Sequence, residues 1–279
     1  MYERIIKRTE AVVEALPYLR RYRGKIFVIK YGGRALSIPE IGRKMIEDVA
    51  LLKYAGMYPV LVHGGGPEIT RMLEKKGIPT KFVYGMRVTS ADAMKVVERV
   101  LGKINRKLVS DLRKAGVKVK SFYGKRGKLL HARKLFGLGH TGAIKRVGTG
   151  PIRKALRKDC VPVVSSIAVG PGGAHFNVNA DHAASAVAGA LKASKLILLT
   201  DVRGVLDHDG RLISVVDRKK AKSLMKRKVI SGGMIPKVRC GLDAIKSGVE
   251  KVHIIDGKIP RALLLEVFTD SGIGTMVER

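Results

Sequence analysis

The chain has 279 residues, enough for one large α/β domain or two lobes, and its 46% hydrophobic content sustains a core without disulfide or metal staples. Lys and Arg number 55 against 23 Asp and Glu, a net +32 that draws polyanions, yet only 5% of residues are aromatic and Trp is absent, which argues against a base-stacking platform. MYERIIKRTE has no apolar signal core, no stretch approaches membrane-spanning length, and Cys160 and Cys240 fit no metal-ligand spacing, so a soluble, reducing, cytoplasmic setting is expected.

Glu3 to Arg20 carries Ile6, Val12, Val13 and Leu16 at helical spacing and predicts an opening helix. KIFVIK, ending at Lys30, is a short apolar run closed by glycines, as expected of a buried strand. An amphipathic helix follows over Ile41 to Tyr54, then PVLVHGGG as strand and turn. Glu68 to Lys76 reads as a helix closed by Gly77, and Ala91 to Ala115 as a long helix ending at Gly116 before the strand VKVKSF. Tyr123 to Gly150 is Gly-rich and basic, a pattern of hairpins and loop. VPVVSSIAV reads as one strand, and NADHAASAVAGALKA as a helix capped by Asn or Asp. KLILLTDV is a further strand; helices are expected around Lys237 to Ser247 and Arg261 to Phe268, with the strand KVHIID between them.

Apolar strands alternating with helices imply an α/β fold of three layers, with a mostly parallel sheet covered on both faces. Such sheets bind ligands at the carboxyl ends of their strands. YGG, HGGG and TDVRG all fall at those ends.

Basic residues cluster between Lys103 and Lys134, which holds twelve Lys or Arg and the single acid Asp111, and again over Asp217 to Lys228. The clusters lack aromatic interleaving and match no nucleic-acid motif, so a solvated surface and a polyanion-binding face both stay open.

HGGG allows a tight turn, an esterase oxyanion loop or a phosphate nest; the second requires a G-x-S-x-G elbow, which the sequence lacks. G-x-x-x-x-G-K-[ST] is absent, and no G-x-G-x-x-G joins a predicted apolar strand to a helix. Lys30 ends an apolar strand, where an ammonium is costly unless it faces a polar cleft. Lys237 follows SGGMIP at a helix start. Two cations beside glycine nests suit phosphoryl transfer, which asks for positioning and charge neutralisation. Asp181, at the start of a helix, reads equally as an N-cap or as part of that site.

VIKYGG, LLKYAG, VHGGGPEI, GMRVTS, FNVNADHAA, LILLTDVRGVL, GGMIPKV, HIIDG and LLLEVFTDSGIGTM, in this order over nearly the whole chain, resemble the acetylglutamate kinases of the amino-acid kinase family. The resemblance implies the amino-acid kinase fold, with an N-terminal arm over 1–22, a substrate-binding and dimerising lobe over 23–175 and an ATP lobe over 176–279. It implies phosphorylation of the side-chain carboxylate of N-acetyl-L-glutamate by ATP with Mg2+, in arginine biosynthesis, with no residue assigned as a metal ligand. Lys30 and Lys237 match the family's transition-state lysines, and Asp181 the carboxylate that orients them. Gly32 and Gly33 match one phosphate nest; Gly65 and Gly66 match the other, on the acceptor side, where main-chain contact with substrate is expected. Arg87 matches the arginine that holds the α-carboxylate, Asn177 a substrate-binding asparagine, and Asp201 and Gly233 fall in the nucleotide half. The N-terminal helix resembles that of arginine-inhibited hexamers built as trimers of dimers, with His253, Glu266 and Gly274 matching the effector site; covering of the sheet edge is the other reading of that helix.

Two departures stand out. Arg126 in Tyr123-Gly124-Lys125-Arg126-Gly127 replaces an acid, and Thr70 stands where the family often has Asn. The charge motivates two rivals: a kinase for glutamate or aminoadipate borne on an acidic carrier protein, and a nucleic-acid-binding protein on a kinase fold. HGGGPE and NVNAD favour the free acetylated substrate, since relatives acting on carriers resemble HGGSAE and NTDGD.

Overall fold

A computed structural model describes residues 2–33, 38–83, 85–123, 129–270 and 272–279. The Arg126 departure lies outside the described residues. The first half runs α1 (Tyr2–Glu14), α2 (Leu16–Tyr22), β1 (Ile26–Tyr31), α3 (Pro39–Tyr54), β2 (Tyr58–His63), α4 (Gly66–Lys75), β3 (Lys81–Val83), β4 (Met86–Val88) and α5 (Ala91–Lys114). Then come β5 (Val119–Phe122), β6 (Leu130–Lys134), β7 (Gly142–Val147), α6 (Thr149–Arg157), β8 (Val161–Ser165), β9 (Ile167–Val169) and β10 (His175–Asn177). The chain closes with α7 (Ala180–Leu191), β11 (Lys195–Thr200), β12 (Val215–Val216), α8 (Arg218–Lys226), α9 (Met234–Lys246), β13 (Lys251–Asp256), α10 (Ala262–Val267) and β14 (Thr275–Val277).

The central sheet has the order β12-β14-β13-β11-β1-β2-β8-β5. It is parallel from β13 to β5, and β14 runs antiparallel to β13. Side chains alternate between its faces, and both faces are buried. Val28, Val62, Leu196 and Leu198 point into the layer of α7 and α9, while Phe27, Ile29, Leu61 and Ile197 point into the layer of α3, α5 and α10. Lys30 shares the parity of Val28, so its side chain enters the layer that contains α7. In register it lies beside Val62 and Leu198 at the carboxyl ends of β2 and β11.

Two expectations need correction. The opening helix is broken at Ala15, with Pro17 in the first turn of α2, because proline tolerates that position and no interior one. VPVVSSIAV splits at Ser166 into β8 in the central sheet and β9 in a second sheet of order β10-β9-β6-β7. The β3–β4 hairpin was not anticipated, nor were α6 and α8. The basic residues of α5 lie on its exposed face, opposite a buried stripe that includes Val97, Leu101, Leu108 and Leu112.

Candidate active site

A cleft of about 290 Å³ opens at the carboxyl ends of β1, β2 and β11. Lys30, Gly32, Gly33, Gly65, Gly66, Arg87, Asn177, Asp181 and Asp201 all line it. Its centre is Asp181, in the first turn of α7 and 6% exposed. The N-cap is Asn179, whose side chain accepts the Asp181 N–H at 2.8 Å. Asp181 is therefore free of capping duty. Lys30 Nζ lies 3.0 Å from Oδ1, and Lys237 Nζ donates to Oδ2 at 2.7 Å. Burial alone would raise this carboxyl's pKa, but the Lys30 and Lys237 ammonium groups together hold it well below the usual carboxylate range. Lys30 also donates to the Leu199 carbonyl at 3.3 Å. Lys237, one turn into α9, is the more open of the two lysines, its side chain 22% exposed.

The glycines beside this triad serve different ends. Gly33 has φ +69°, and a Cβ there would stand 2.8 Å from Asp201 Oδ1, so only glycine leaves both the turn and the carboxylate in place. At Gly65 a Cβ would stand 2.5 Å from Ile104 Cδ1, so that glycine lets α4 pack on α5. Gly66 opens α4 and meets nothing on its Cβ side. His63 is fully buried between Asn105 and the Gly64 carbonyl, with Nε2 3.0 Å from Asn105 Nδ2 and Nδ1 3.2 Å from Gly64 O. The arrangement suits one neutral tautomer: Asn105 donates to Nε2, and Nδ1–H donates to Gly64 O. Burial pushes the imidazole pKa down to about 4, against a smaller opposing effect of the Gly64 bond. Because the peptide is planar and trans, fixing Gly64 C=O on the protein side turns the Gly65 N–H the opposite way.

Arg87, on β4 and 6% exposed, forms the other wall. Its guanidinium donates to Thr70 Oγ1 at 2.7 Å, to Gly66 O at 3.2 Å and to Thr80 Oγ1 at 3.3 Å, and it lies over the Phe82 ring at 4.7 Å. No described carboxylate pairs with it, and burial lowers its pKa from the ordinary value. Thr89 Oγ1 donates to the Arg87 carbonyl at 3.0 Å, Thr141 donates to the same carbonyl, and Asn177 Nδ2 donates to Thr89 Oγ1 at 3.1 Å. With its Nδ2 so engaged, Asn177 keeps its carbonyl oxygen as an acceptor.

Gly233 falls outside the cleft lining, exposed at the N-cap of α9. His253 and Glu266 meet in a separate buried pair, with Nδ1 2.5 Å from Oε1. A Cβ on Gly274 would fall 2.2 Å from the Ile254 carbonyl, so its backbone is pressed against β13. Thr70, Thr80, Thr89 and Thr141 escaped sequence reasoning as partners of Arg87. Thr and Ser are common everywhere, and no spacing links residues 70, 89 and 141.

Residues 25–256 match the amino acid kinase family. The chain belongs to that family and has its fold. Within it, acetylglutamate kinase of Syntrophobacter fumaroxidans is 44% identical over 99% of this chain and 97% of that one. Acetylglutamate kinase of Aquifex aeolicus is 47% identical, over 98% of each chain. Among solved structures, N-acetylglutamate synthase of Neisseria gonorrhoeae, in complex with coenzyme A and N-acetyl-glutamate, superposes with a TM-score of 0.89 at 28% identity. That match spans 97% of this chain and 63% of the synthase.

Proposed function

We propose that this chain transfers the γ-phosphoryl group of ATP to the side-chain carboxylate of N-acetyl-L-glutamate, giving N-acetyl-L-glutamyl 5-phosphate and ADP in arginine biosynthesis. The observation that carries the reading is the Lys30–Asp181–Lys237 triad between two glycine turns, in a chain whose near-full-length relatives bear that activity in their names. The acceptor carboxylate is ionised at neutral pH and needs no base. Its oxygen forms a bond to the γ-phosphorus as the bond to the β–γ bridging oxygen breaks, and the electron pair leaves with ADP. Lys30 and Lys237 neutralise charge on the moving group and on the leaving diphosphate, and Asp181 holds both ammonium groups in place. The N–H groups of Gly65 and Gly66, at an uncapped helix start, receive the acceptor side. Gly32 and Gly33 receive the phosphates. Gly233, though outside the cleft lining, opens the helix that presents Lys237. Arg87 holds the α-carboxylate, and the carbonyl oxygen of Asn177 accepts the acetamide N–H.

Among the described residues no group of three His, Cys, Asp or Glu is placed to hold a metal unaided. Of the two carboxylates that line the cleft, Asp181 is held by Lys30 and Lys237, so Asp201 would be the one to hold a Mg2+ that accompanies the nucleotide. When bound, Mg2+ neutralises charge on the phosphates. Substrate falls chiefly to 23–175 and nucleotide chiefly to 176–279, with Gly32 and Gly33 crossing over to the phosphates and Asn177 to the substrate. A carrier-borne substrate is not favoured, since the matched relatives are named for the acetylated one. No helix among the described residues is long and apolar enough to cross a membrane; the enzyme's place in the pathway points to the cytoplasm.

Control by arginine is a second reading, favoured by two observations. His253, Glu266 and the backbone at Gly274 gather at the face that α2 covers through Tyr18 and Tyr22, with Tyr18 edge-on to Phe268. Meanwhile α1 leaves Ile6, Val12 and Val13 more than half exposed, an apolar face suited to the same helix of another subunit. The reading predicts a hexamer by light scattering and inhibition by arginine; a dimer indifferent to arginine refutes it.

The test of the main reading is ADP release together with trapping of the acyl phosphate by hydroxylamine. Hydroxamate should form with N-acetyl-L-glutamate and not with free glutamate. ADP release without hydroxamate, or turnover only with a carrier-linked substrate, overturns it.

A further inference from the structure

We infer that Thr70 is a positioning residue, setting the Arg87 guanidinium for the substrate's α-carboxylate; the inference rests on the acetylglutamate kinase reading above. Thr70 lies in α4, half-buried and outside the residues that line the cleft. Its hydroxyl donates back to the Gly66 carbonyl at 3.0 Å. Such an i−4 bond adds nothing to a helix and slightly destabilises it. Here it has a consequence. With its one proton committed to Gly66, the Thr70 oxygen can only accept from the guanidinium, and Arg87 Nη2 donates to it at 2.7 Å. The same Nη2 also donates to Gly66 O at 3.2 Å, so hydroxyl, carbonyl and guanidinium close a ring that ties Arg87 to the first turn of α4.

The remaining restraints are weaker. Thr80 accepts from Nη1 at 3.3 Å, and Phe82 covers one face of the guanidinium at 4.7 Å. Together these contacts engage three of the five guanidinium donors and leave the others for a ligand. Arg87 is buried, always charged and unpaired with any described carboxylate, so an anion brought by the substrate is its natural counter-charge. Bidentate capture of a carboxylate depends on the plane of the fork, and Thr70 supplies the shortest bond that sets it. Thr70 thus acts through Arg87 alone and touches neither ATP nor the transferred group.

Thr70→Val keeps the β-branched shape and removes the hydroxyl. Loss of a hydrogen bond to a charged group is expected to raise KM for N-acetylglutamate about tenfold. The turnover number should stay within about twofold, and KM for ATP should not change. Thr70→Ser should restore the wild-type KM. With 4-acetamidobutanoate, which has the same chain without the α-carboxylate, Thr70→Val and wild type should behave alike. A Thr70→Val enzyme with unchanged KM for N-acetylglutamate overturns the inference. So does an equal rise in both KM values, a failure of serine to rescue, or an equal defect with 4-acetamidobutanoate, since each marks a merely structural role. Wild-type protein that forms no acyl phosphate from N-acetylglutamate refutes the proposed function itself, and this inference with it.

Discussion

Replacing Asp181 by Asn keeps the shape of the side chain and removes the one charge that both lysines share. In the free protein Lys30, 7% exposed, then lies beside a neutral amide, and Lys237 loses a bond of 2.7 Å. Removing one partner of a buried ion pair costs about 3–5 kcal/mol. The lower figure applies, because the Lys237 side chain keeps 22% of its exposure and water screens part of its charge. For a chain of this size, about 3 kcal/mol lowers Tm by roughly 6–12 °C. Nucleotide phosphates supply the missing counter-charge, so ATP should raise the Tm of Asp181→Asn by more than it raises that of wild type. In the transition state the two ammonium groups are no longer aimed, and loss of one aimed donor costs about 100-fold or more in the turnover number. Differential scanning fluorimetry with and without ATP, together with the hydroxamate assay, reads both effects. A variant with wild-type Tm, or with turnover within threefold of wild type, refutes the reasoning.

Gly33→Ala should cut kcat/KM for ATP about 10- to 100-fold with little change in KM for N-acetylglutamate, because a Cβ at φ +69° displaces the Asp201 carboxylate; equal effects on both substrates would count against this placement. Gly65→Ala should lose about 1–3 kcal/mol by overpacking against Ile104 Cδ1, and adding Ile104→Ala should recover part of the loss; strict additivity in urea unfolding would deny the contact. His63 has a folded pKa of about 4, below its ordinary value of 6.5, so its neutral form is the one the fold selects. The resulting stability is fully present above pH 6.5 and is lost as pH falls from there through 4, a change of about 3 kcal/mol. His63→Asn should lack that slope in urea titrations over this window, and an unchanged slope would assign it to other groups.

The sequence made the sheet legible where strands were uniformly apolar. KIFVIK and KLILLT are buried on both faces, and a run of that kind has few other uses. Lys30, a cation closing such a run, pointed to a polar cleft; that α7 walls that cleft is evident only in the fold. What stayed hidden depends on contacts that sequence spacing does not encode. Asp181 could be a cap or a bridge until Asn179 took the cap. The HGGG glycines read as one nest, yet Gly65 is also required by Ile104 across a helix interface. Arg87 was found through its motif, but the hydroxyls around it come from α4 and from Thr80, Thr89 and Thr141, just outside the ends of β3, β4 and β7, which meet only in the folded chain. The break after Glu14 was signalled by Pro17 and outweighed by the helical period on either side.

The central claim is that Lys30 and Lys237, joined through Asp181, bind the phosphoryl group in transit more tightly than at rest. Calorimetric titration with ADP and aluminium fluoride in the presence of N-acetylglutamate, set beside titration with ATP alone, tests it most directly. The account predicts that Lys30→Met and Lys237→Met lose about 100-fold or more in affinity for the aluminium fluoride complex and far less for ATP. Equal losses for the two ligands would contradict it, because the lysines would then serve ground-state binding only.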